Sequence, residues 1–262
     1  MGETGINKPN LKRSKQMKKQ GIFIMKRITL ISILICLCLG CTSTPVSDNT
    51  NWDGDFGYRI NNSGETQTVT ITRYRGESKD VIIPDNVNGI PVTSIYEQVF
   101  RGKELTSVII PSSVTYIGVS AFSSNQLTSV TIPDSVTTIE RSAFYGNQLT
   151  SVTIPKGVAN IGAYAFSNNQ LTSITIPEGY TVIGNAFSNN QLTSIILPSS
   201  ATTIVEGAFE NNRLTSIIIP NSVTSIGERA FLGNAPRSVT IGTNVAMSQS
   251  SFGYYFQFLT FN

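Results

Sequence analysis

The sequence predicts a stacked solenoid, in which short units of similar sequence pile up along one axis. One segment recurs almost unchanged, as SSNQLTSVTIP at 123–133, YGNQLTSVTIP at 145–155 and SNNQLTSITIP at 167–177. Proline recurs at steps of 22, 22, 22, 21 and 22 residues, at Pro111, Pro133, Pro155, Pro177, Pro198 and Pro220. Phenylalanine keeps the same period, at Phe100, Phe122, Phe144, Phe166, Phe187, Phe209 and Phe231. A fixed period of about 20–29 residues is typical of solenoids, whose units contact only their neighbours.

The first 41 residues are predicted to be a leader. Residues 1–24 are polar, basic and without periodicity, which favours Met25 as the initiator, with Met1 and Met17 as the alternatives. From Met25 onward, a basic start is followed by a 12-residue, mainly apolar run at 28–39 and then by Gly40-Cys41. This order is typical of a secretory signal, and the run is shorter than the roughly 20 residues that cross a bilayer. We therefore expect 25–41 to be a signal peptide and 42–55 to be a polar tether.

The end of the leader, LCLGC at 37–41, resembles the lipobox of bacterial lipoproteins, although Cys38 stands where that pattern prefers leucine. The resemblance implies that Cys41 is lipidated and anchors the protein to a membrane, at the cell surface or outer membrane. The alternative is an ordinary signal peptide, with release of a secreted protein. All three cysteines, at 36, 38 and 41, lie here and the chain has no histidine, so this clustering does not favour a metal site.

The charge balance argues against a nucleic-acid partner. The net charge of +3 comes from the leader, because eight Lys and Arg lie in the first 27 residues. After Cys41, 11 Lys and Arg stand against 15 Asp and Glu, a net charge of −4. Such a body lacks the basic surface that nucleic-acid binding requires.

Residues 56–77 are predicted to form an N-terminal β-hairpin cap. Val69 and Ile71 alternate with threonines, and 61–64 (NNSG) has the composition of a turn. The next unit, 81–100, carries an extra loop at 88–91. Together they would cover the first coil, because an uncapped sheet end exposes apolar core and unpaired backbone.

The repeats, residues 78–242, each begin with a predicted strand. Leu127, Val130 and Ile132 alternate with hydroxyl residues, which is strand periodicity with one apolar face. Pro133 would end the strand because it has no N–H to donate. Val136 and Ile139 then return the chain across the core.

Each unit closes with a predicted helical turn and an asparagine. Residues 141–144 (RSAF) suggest one helical turn that buries its Ala and Phe, and the core phenylalanines are Phe122, Phe144, Phe166, Phe187, Phe209 and Phe231. Asparagine recurs before each strand, at Asn125, Asn147, Asn169, Asn190, Asn212 and Asn234. Stacked asparagines can satisfy the backbone groups of adjacent buried turns.

At these positions the sequence resembles the BspA-like (treponemal-type) leucine-rich repeats of bacterial surface proteins. Their unit reads approximately Leu-x-x-Ile-x-Ile-Pro-x-x-Val-x-x-Ile-Gly-x-x-Ala-Phe. It is matched, one residue short, by Leu171, Ile174, Ile176, Pro177, Ile183, Gly184, Ala186 and Phe187. Over about 78–252, the resemblance implies a leucine-rich repeat solenoid, an α/β-type repeat that is mostly β. It also implies a right-handed stack with a concave parallel β-sheet, short helical turns on the convex side and capped ends.

The C-terminal residues, 243–262, are predicted to form the last partial repeat and a cap. Gly242 stands where the other units have proline, and aromatic residues are concentrated at 252–258. Tyr254, Tyr255, Phe256 and Phe258 would cover the last coil; the alternative is that they stack on sugars.

The candidate binding surface is the exposed face of the strands. Threonine forms one row (Thr128, Thr150, Thr172, Thr193, Thr215) and serine another (Ser129, Ser151, Ser173, Ser194, Ser216). In a third row isoleucine and threonine alternate irregularly, and Ile196 and Ile218 are adjacent there; the row is Ile109, Thr131, Thr153, Thr175, Ile196, Ile218 and Thr240. We therefore take Thr193, Ile196, Thr215 and Ile218 as the candidate ligand-binding patch. The alternatives are that hydroxyl residues simply suit exposed strands and that the isoleucines are harmless drift.

The sequence shows no convincing catalytic constellation. Without histidine there is no Ser-His-Asp or Cys-His arrangement, and no glycine-rich loop has the context of a phosphate site. We expect a monomeric, non-enzymatic binding protein without cofactor or metal. The resemblance implies an adhesin for an extracellular protein or glycan; the alternative is a structural envelope scaffold with no specific ligand.

Overall fold

The computed structural model describes residues 50–242, 245–253 and 259–261. The predicted signal peptide, Cys41, tether residues 42–49 and the aromatic residues 254–258 lie outside the described residues.

The described chain is a mostly β solenoid of about eight turns, which confirms the predicted parallel stack. In chain order the strands are β1 (Asn51–Asp53), β2 (Phe56–Ser63), β3 (Thr66–Tyr74), β4 (Asp80–Ile82), β5 (Asn86–Val87), β6 (Ile90–Ile95), β7 (Ser107–Ile109), β8 (Tyr116–Ile117), β9 (Thr138–Ile139), β10 (Asn160–Ile161), β11 (Ser173–Thr175), β12 (Val182–Ile183), β13 (Ser194–Ile196), β14 (Thr203–Ile204), β15 (Ser216–Ile218), β16 (Ser225–Ile226), β17 (Ser238–Ile241) and β18 (Leu259–Phe261). A single 3₁₀ helix, Gln249–Ser251, is the only helix in the described part.

Two strand systems run along the stack. The strands at the start of the repeats are called the first sheet here; they pair in parallel as β4-β7, β11-β13 and β15-β17-β18. The short strands that return the chain across the core are called the second sheet; they pair in parallel as β6-β8-β9-β10 and β12-β14-β16. In a strand such as β15 the central Ile217 is buried and its two neighbours are exposed, as the alternation predicted.

The cap is an antiparallel hairpin joined to the second sheet. Strands β2 and β3 pair antiparallel, and β3 pairs in parallel with β6. The turn lies at Gly64-Glu65 rather than at 61–64, because Asn61 stays in β2 and donates to Thr70 Oγ1 over 2.8 Å. The extra loop at 88–91 is a second tight hairpin, in which Asn88 and Gly89 both have positive φ between β5 and β6. Strand β1 lies in the segment predicted as tether and pairs with β2.

A column of phenylalanine rings fills the core. Eight rings stack nearly parallel, with centroids 4.9–6.1 Å apart: Phe100, Phe122, Phe144, Phe166, Phe187, Phe209, Phe231 and Phe252. All eight are buried, so each coil covers the ring of the coil before it.

A second column, of buried asparagines, ties successive coils together. Asn169 Nδ2 donates to the carbonyls of Phe144 and Phe166, each over 3.0 Å, and its Oδ1 accepts from the Leu149 amide over 3.0 Å. The same bridge is made by Asn125, Asn147, Asn190, Asn212 and Asn234. Each side chain therefore satisfies backbone groups of two coils inside the core.

The outer turns are β-turns and not the helical turns that the sequence predicted. At 141–144 alternate amides bond in different directions: Ala143 donates back to Glu140, whereas Ser142 and Phe144 donate to the next coil. Ser142 also has φ +57°, in the left-handed region. A helical turn would require these amides for bonds within its own coil, so bonding between coils excludes it.

The first sheet is also less continuous than the repeat predicts. The segments 129–131 and 151–153 form no strand, and β13 and β15 share no ladder. Single bonds, such as Thr172 N–H to Thr150 O over 3.3 Å, hold these coils together instead. The proline that follows each of these segments has no N–H, so each coil can form only a few ladder hydrogen bonds with its neighbour. A small displacement between two coils is enough to remove them.

Candidate functional site

The exposed face of the first sheet carries the residues of the predicted patch. Ile196 and Ile218 are 63% and 71% exposed, on successive coils, while Ile217 beneath them is buried. Thr193 and Thr215 are exposed, and their hydroxyls donate to carbonyls of the preceding coil over 3.3 and 3.5 Å. The isoleucines therefore offer free apolar surface, whereas the threonine hydroxyls already bond within the fold.

The same face carries a second exposed isoleucine pair, of which the sequence analysis identified Ile109 as part of the row but not Ile82. Ile82 and Ile109 are directly opposite in the β4–β7 ladder and are 68% and 57% exposed. The signal was present in 81–84 (VIIP), which repeats the strand pattern one coil before the clear units. Exposed threonines at 131, 153 and 175 separate the two pairs.

The two ends of the face differ in charge. At the first end, the Asp80 carboxylate accepts from the hydroxyls of Ser107 (2.7 Å) and Thr106 (2.9 Å), which lowers its pKa below the ordinary value. At the other end, Arg237 takes the next position in the threonine row, where its amide donates to the Thr215 carbonyl over 2.8 Å. Arg213 lies two residues before Thr215 in the sequence. Both arginines are exposed, and among the described residues neither forms an ion pair.

The second sheet carries a small polar and aromatic pocket next to the cap. Its volume is about 250 Å³, and residues of four strands line it: Arg59 from β2, Thr70 from β3, Ser94 from β6 and Tyr116 from β8. Burial, followed by the charge of Glu140 and a hydrogen bond to it, raises the pKa of the Tyr116 hydroxyl.

A larger cavity, of about 410 Å³, lies at the one 21-residue unit. One residue is missing between Ile183 and Phe187, and the second sheet is interrupted between β10 and β12. The ring spacings on either side of Phe187 widen to 5.9 and 6.1 Å. Tyr180 bridges the interruption by donating its hydroxyl to the Val158 carbonyl, and burial raises the pKa of Tyr180 to about 12.

The acidic residues of the outer turns are dispersed. Glu206 and Glu228 are exposed, and Glu140 interacts with Tyr116. Across 50–242, 245–253 and 259–261, no three His, Cys, Asp or Glu side chains are close enough to hold a metal ion. In the same ranges no helix is long and apolar enough to span a bilayer.

The solved structures similar to this chain include the following three. A leucine-rich repeat protein from Bacteroides ovatus is 25% identical, with a TM-score of 0.52, over 75% of this chain and 60% of that one. The T. pallidum leucine-rich repeat protein TpLRR is 26% identical, with a TM-score of 0.47, over 71% of this chain and 83% of its own. A leucine rich cell surface protein from Faecalibacterium prausnitzii is 20% identical, with a TM-score of 0.34, over 81% and 94%. This chain thus spans less than two thirds of the Bacteroides protein.

The repeats themselves match a family model. No curated protein matches the chain. The model for the BspA type leucine-rich repeat region matches in six copies, over residues 93–212 and 185–261, which together exceed half of the sequence. The resemblance predicted from the repeat is thereby confirmed. The protein belongs to the BspA-type leucine-rich repeat family.

Proposed function

We propose that the protein is a non-enzymatic cell-surface binding protein, an adhesin that recognises host or bacterial surface macromolecules through the face of the first sheet. One observation carries this proposal: Ile196 and Ile218, on successive coils, expose most of their apolar surface beside the exposed threonines 193 and 215. Exposed apolar patches with polar surroundings are typical of interaction sites.

The proposed mechanism is multivalent. Each isoleucine contributes about 1.5–3 kcal/mol if a partner buries it fully, which alone supports only weak binding. Many copies of the protein on one cell would raise the overall strength of binding to a partner surface, so that no deep pocket is needed. Export with a lipid at Cys41 would supply that display, as the lipobox resemblance implies.

The test compares two matched double substitutions in the full-length protein. Ile196→Lys with Ile218→Lys removes the apolar contact and leaves the inward Ile195 and Ile217 in place. We expect affinity for whole cells or immobilised matrix proteins to fall by a factor on the order of a hundred or more. Circular dichroism melting confirms that the variant is folded.

The control is Ile82→Lys with Ile109→Lys, because that pair has the same chemistry and similar exposure at the other end of the face. Parental binding by the first variant would exclude the Ile196–Ile218 patch. If the parent protein binds neither cells nor matrix proteins, the structural scaffold becomes the better account.

A further inference from the structure

The pocket on the second sheet breaks the repeat at two neighbouring positions. Tyr116 occupies the position that later coils fill with Thr138, Asn160, Val182, Thr203 and Ser225. Tyr96 follows Ile95, where later coils place Gly118, Glu140, Gly162, Gly184, Val205 and Gly227 after the equivalent residue. Tyr96 is 42% exposed, so its ring is not there to fill the core. Among the described repeats, only the first two units after the cap place aromatic rings at these positions, Tyr96 in the first and Tyr116 in the second.

The pocket is held in place by the cap. The Arg59 guanidinium lies 5.7 Å above the Tyr96 ring, and its Nε donates to Asn61 Oδ1 over 3.3 Å. Asn61 in turn donates to Thr70 Oγ1, which fixes the position of Arg59 relative to β3. Pairing in register places Tyr116 opposite Ser94. Such support from neighbouring strands means that little ordering is needed when a ligand binds.

The mixture of groups restricts the ligand. Glu97 lines the pocket and Glu140 interacts with Tyr116 at its edge, so an anion is repelled by two carboxylates. Since the lining itself carries one positive side chain, Arg59, and one negative side chain, Glu97, a ligand of either charge meets a like charge there, and a purely apolar ligand would leave these charges desolvated and unpaired. A neutral molecule with several hydroxyls and one apolar face satisfies all of them, because its hydroxyls bond to charged groups while its C–H face lies on a tyrosine ring. Saccharide rings have this chemistry.

The size of the pocket sets the length of the ligand. Its volume of about 250 Å³ is below the roughly 300–1,000 Å³ of sites for drug-sized ligands. We propose that this pocket binds a single pyranose ring of a neutral glycan, with Tyr96 as the stacking surface and with Arg59, Glu97 and the Tyr116 hydroxyl as hydrogen-bonding partners. The site lies on the second sheet and does not depend on the function proposed for the first.

The test measures binding of neutral, anionic and amino-bearing monosaccharides and short oligosaccharides to the full-length protein, by calorimetry and saturation-transfer NMR. We expect neutral sugars to bind best. Tyr96→Ala should weaken that binding about tenfold or more through the lost ring contact, and Tyr116→Ala should weaken it through the lost hydroxyl. Glu97→Gln, at an exposed position, should also weaken it while leaving the rings intact.

Tyr164→Ala is the matched control, since Tyr164 is 45% exposed on an outer turn and does not line this pocket. If Tyr96→Ala does not fold, Tyr96→Leu retains the apolar bulk and removes the aromatic face. Absence of neutral-sugar binding, equal binding by all tyrosine variants, or a preference for charged sugars would each overturn the proposal. The Ile196→Lys, Ile218→Lys protein should bind sugar normally, which separates failure here from failure of the first-sheet adhesin.

Discussion

Replacing Asn169 with alanine tests whether the asparagine column holds the coils together. The substitution removes three donated hydrogen bonds, to the carbonyls of Phe144 and Phe166 and over a longer 3.3 Å to that of Ser167, and one bond accepted from the Leu149 amide. These partners do not suffer equally. The carbonyls of Phe144 and Phe166 each retain a bond from another asparagine, Asn147 and Asn190 respectively. The buried Leu149 amide loses its acceptor altogether.

This asymmetry sets the magnitude. An orphaned buried amide costs about 1–3 kcal/mol, and each of the two shorter donated bonds, to Phe144 and Phe166, about 0.5–1.5 kcal/mol, so we expect Asn169→Ala to lower the free energy of unfolding by about 2–6 kcal/mol. That loss is a large part of the free energy of unfolding of a typical domain, which is roughly 5–15 kcal/mol. The neighbouring Gln170→Ala is the control, because Gln170 is exposed and such changes usually stay within about 0.5 kcal/mol.

Urea unfolding followed by circular dichroism gives both free energies, and hydrogen exchange reports on the Leu149 amide directly. We expect that amide to exchange faster in Asn169→Ala, and the Gln170→Ala protein to resemble the parent. If the two variants were equally stable, the asparagine column would not contribute to stability as its geometry indicates.

Two further predictions concern the leader and the short coil. Cys41→Ser should move the protein from the detergent phase to the aqueous phase in phase partitioning if Cys41 carries lipid, and equal partitioning of parent and variant would contradict lipidation. Tyr180 has a pKa raised from 10.0 to about 12, so its contribution to stability is fully present below about pH 10 and is lost as the pH rises towards 12. Melting from pH 8 to 12 should therefore fall less steeply for Tyr180→Phe than for the parent; identical slopes would show that Tyr180 is not protected by burial.

The features that recur in every unit are those that the sequence predicts best. Phenylalanine and asparagine spacing indicated both interior columns, because a side chain that repeats with the coil must meet its own copies in the stack. The outer turns were predicted as helical because 141–144 has a helix-like composition, yet hydrogen bonds to adjacent coils decide the conformation there. Such bonds are not visible within one unit of sequence.

The features that occur once were the hardest to predict. The pocket at Tyr96 and Tyr116 depends on Arg59, which the antiparallel cap brings to a parallel sheet from outside the repeats. No period in the sequence points to that contact. Ile82, the neighbour of Ile109, was missed for a related reason, because the unit that contains Ile82 departs from the repeat.

The missing residue at the short coil has a consequence for cooperativity. In a linear stack, stability is the sum of terms for single coils and terms for neighbouring pairs, so the weakest pair decides where the molecule separates into blocks. Around Phe187 one strand ladder is absent and the rings are farthest apart, while the phenylalanine and asparagine columns continue. Local unfolding that starts at either end of the stack is therefore expected to stop at a boundary near Pro177. We expect the coils before and after it to exchange their amide protons as two groups, each with its own free energy of opening.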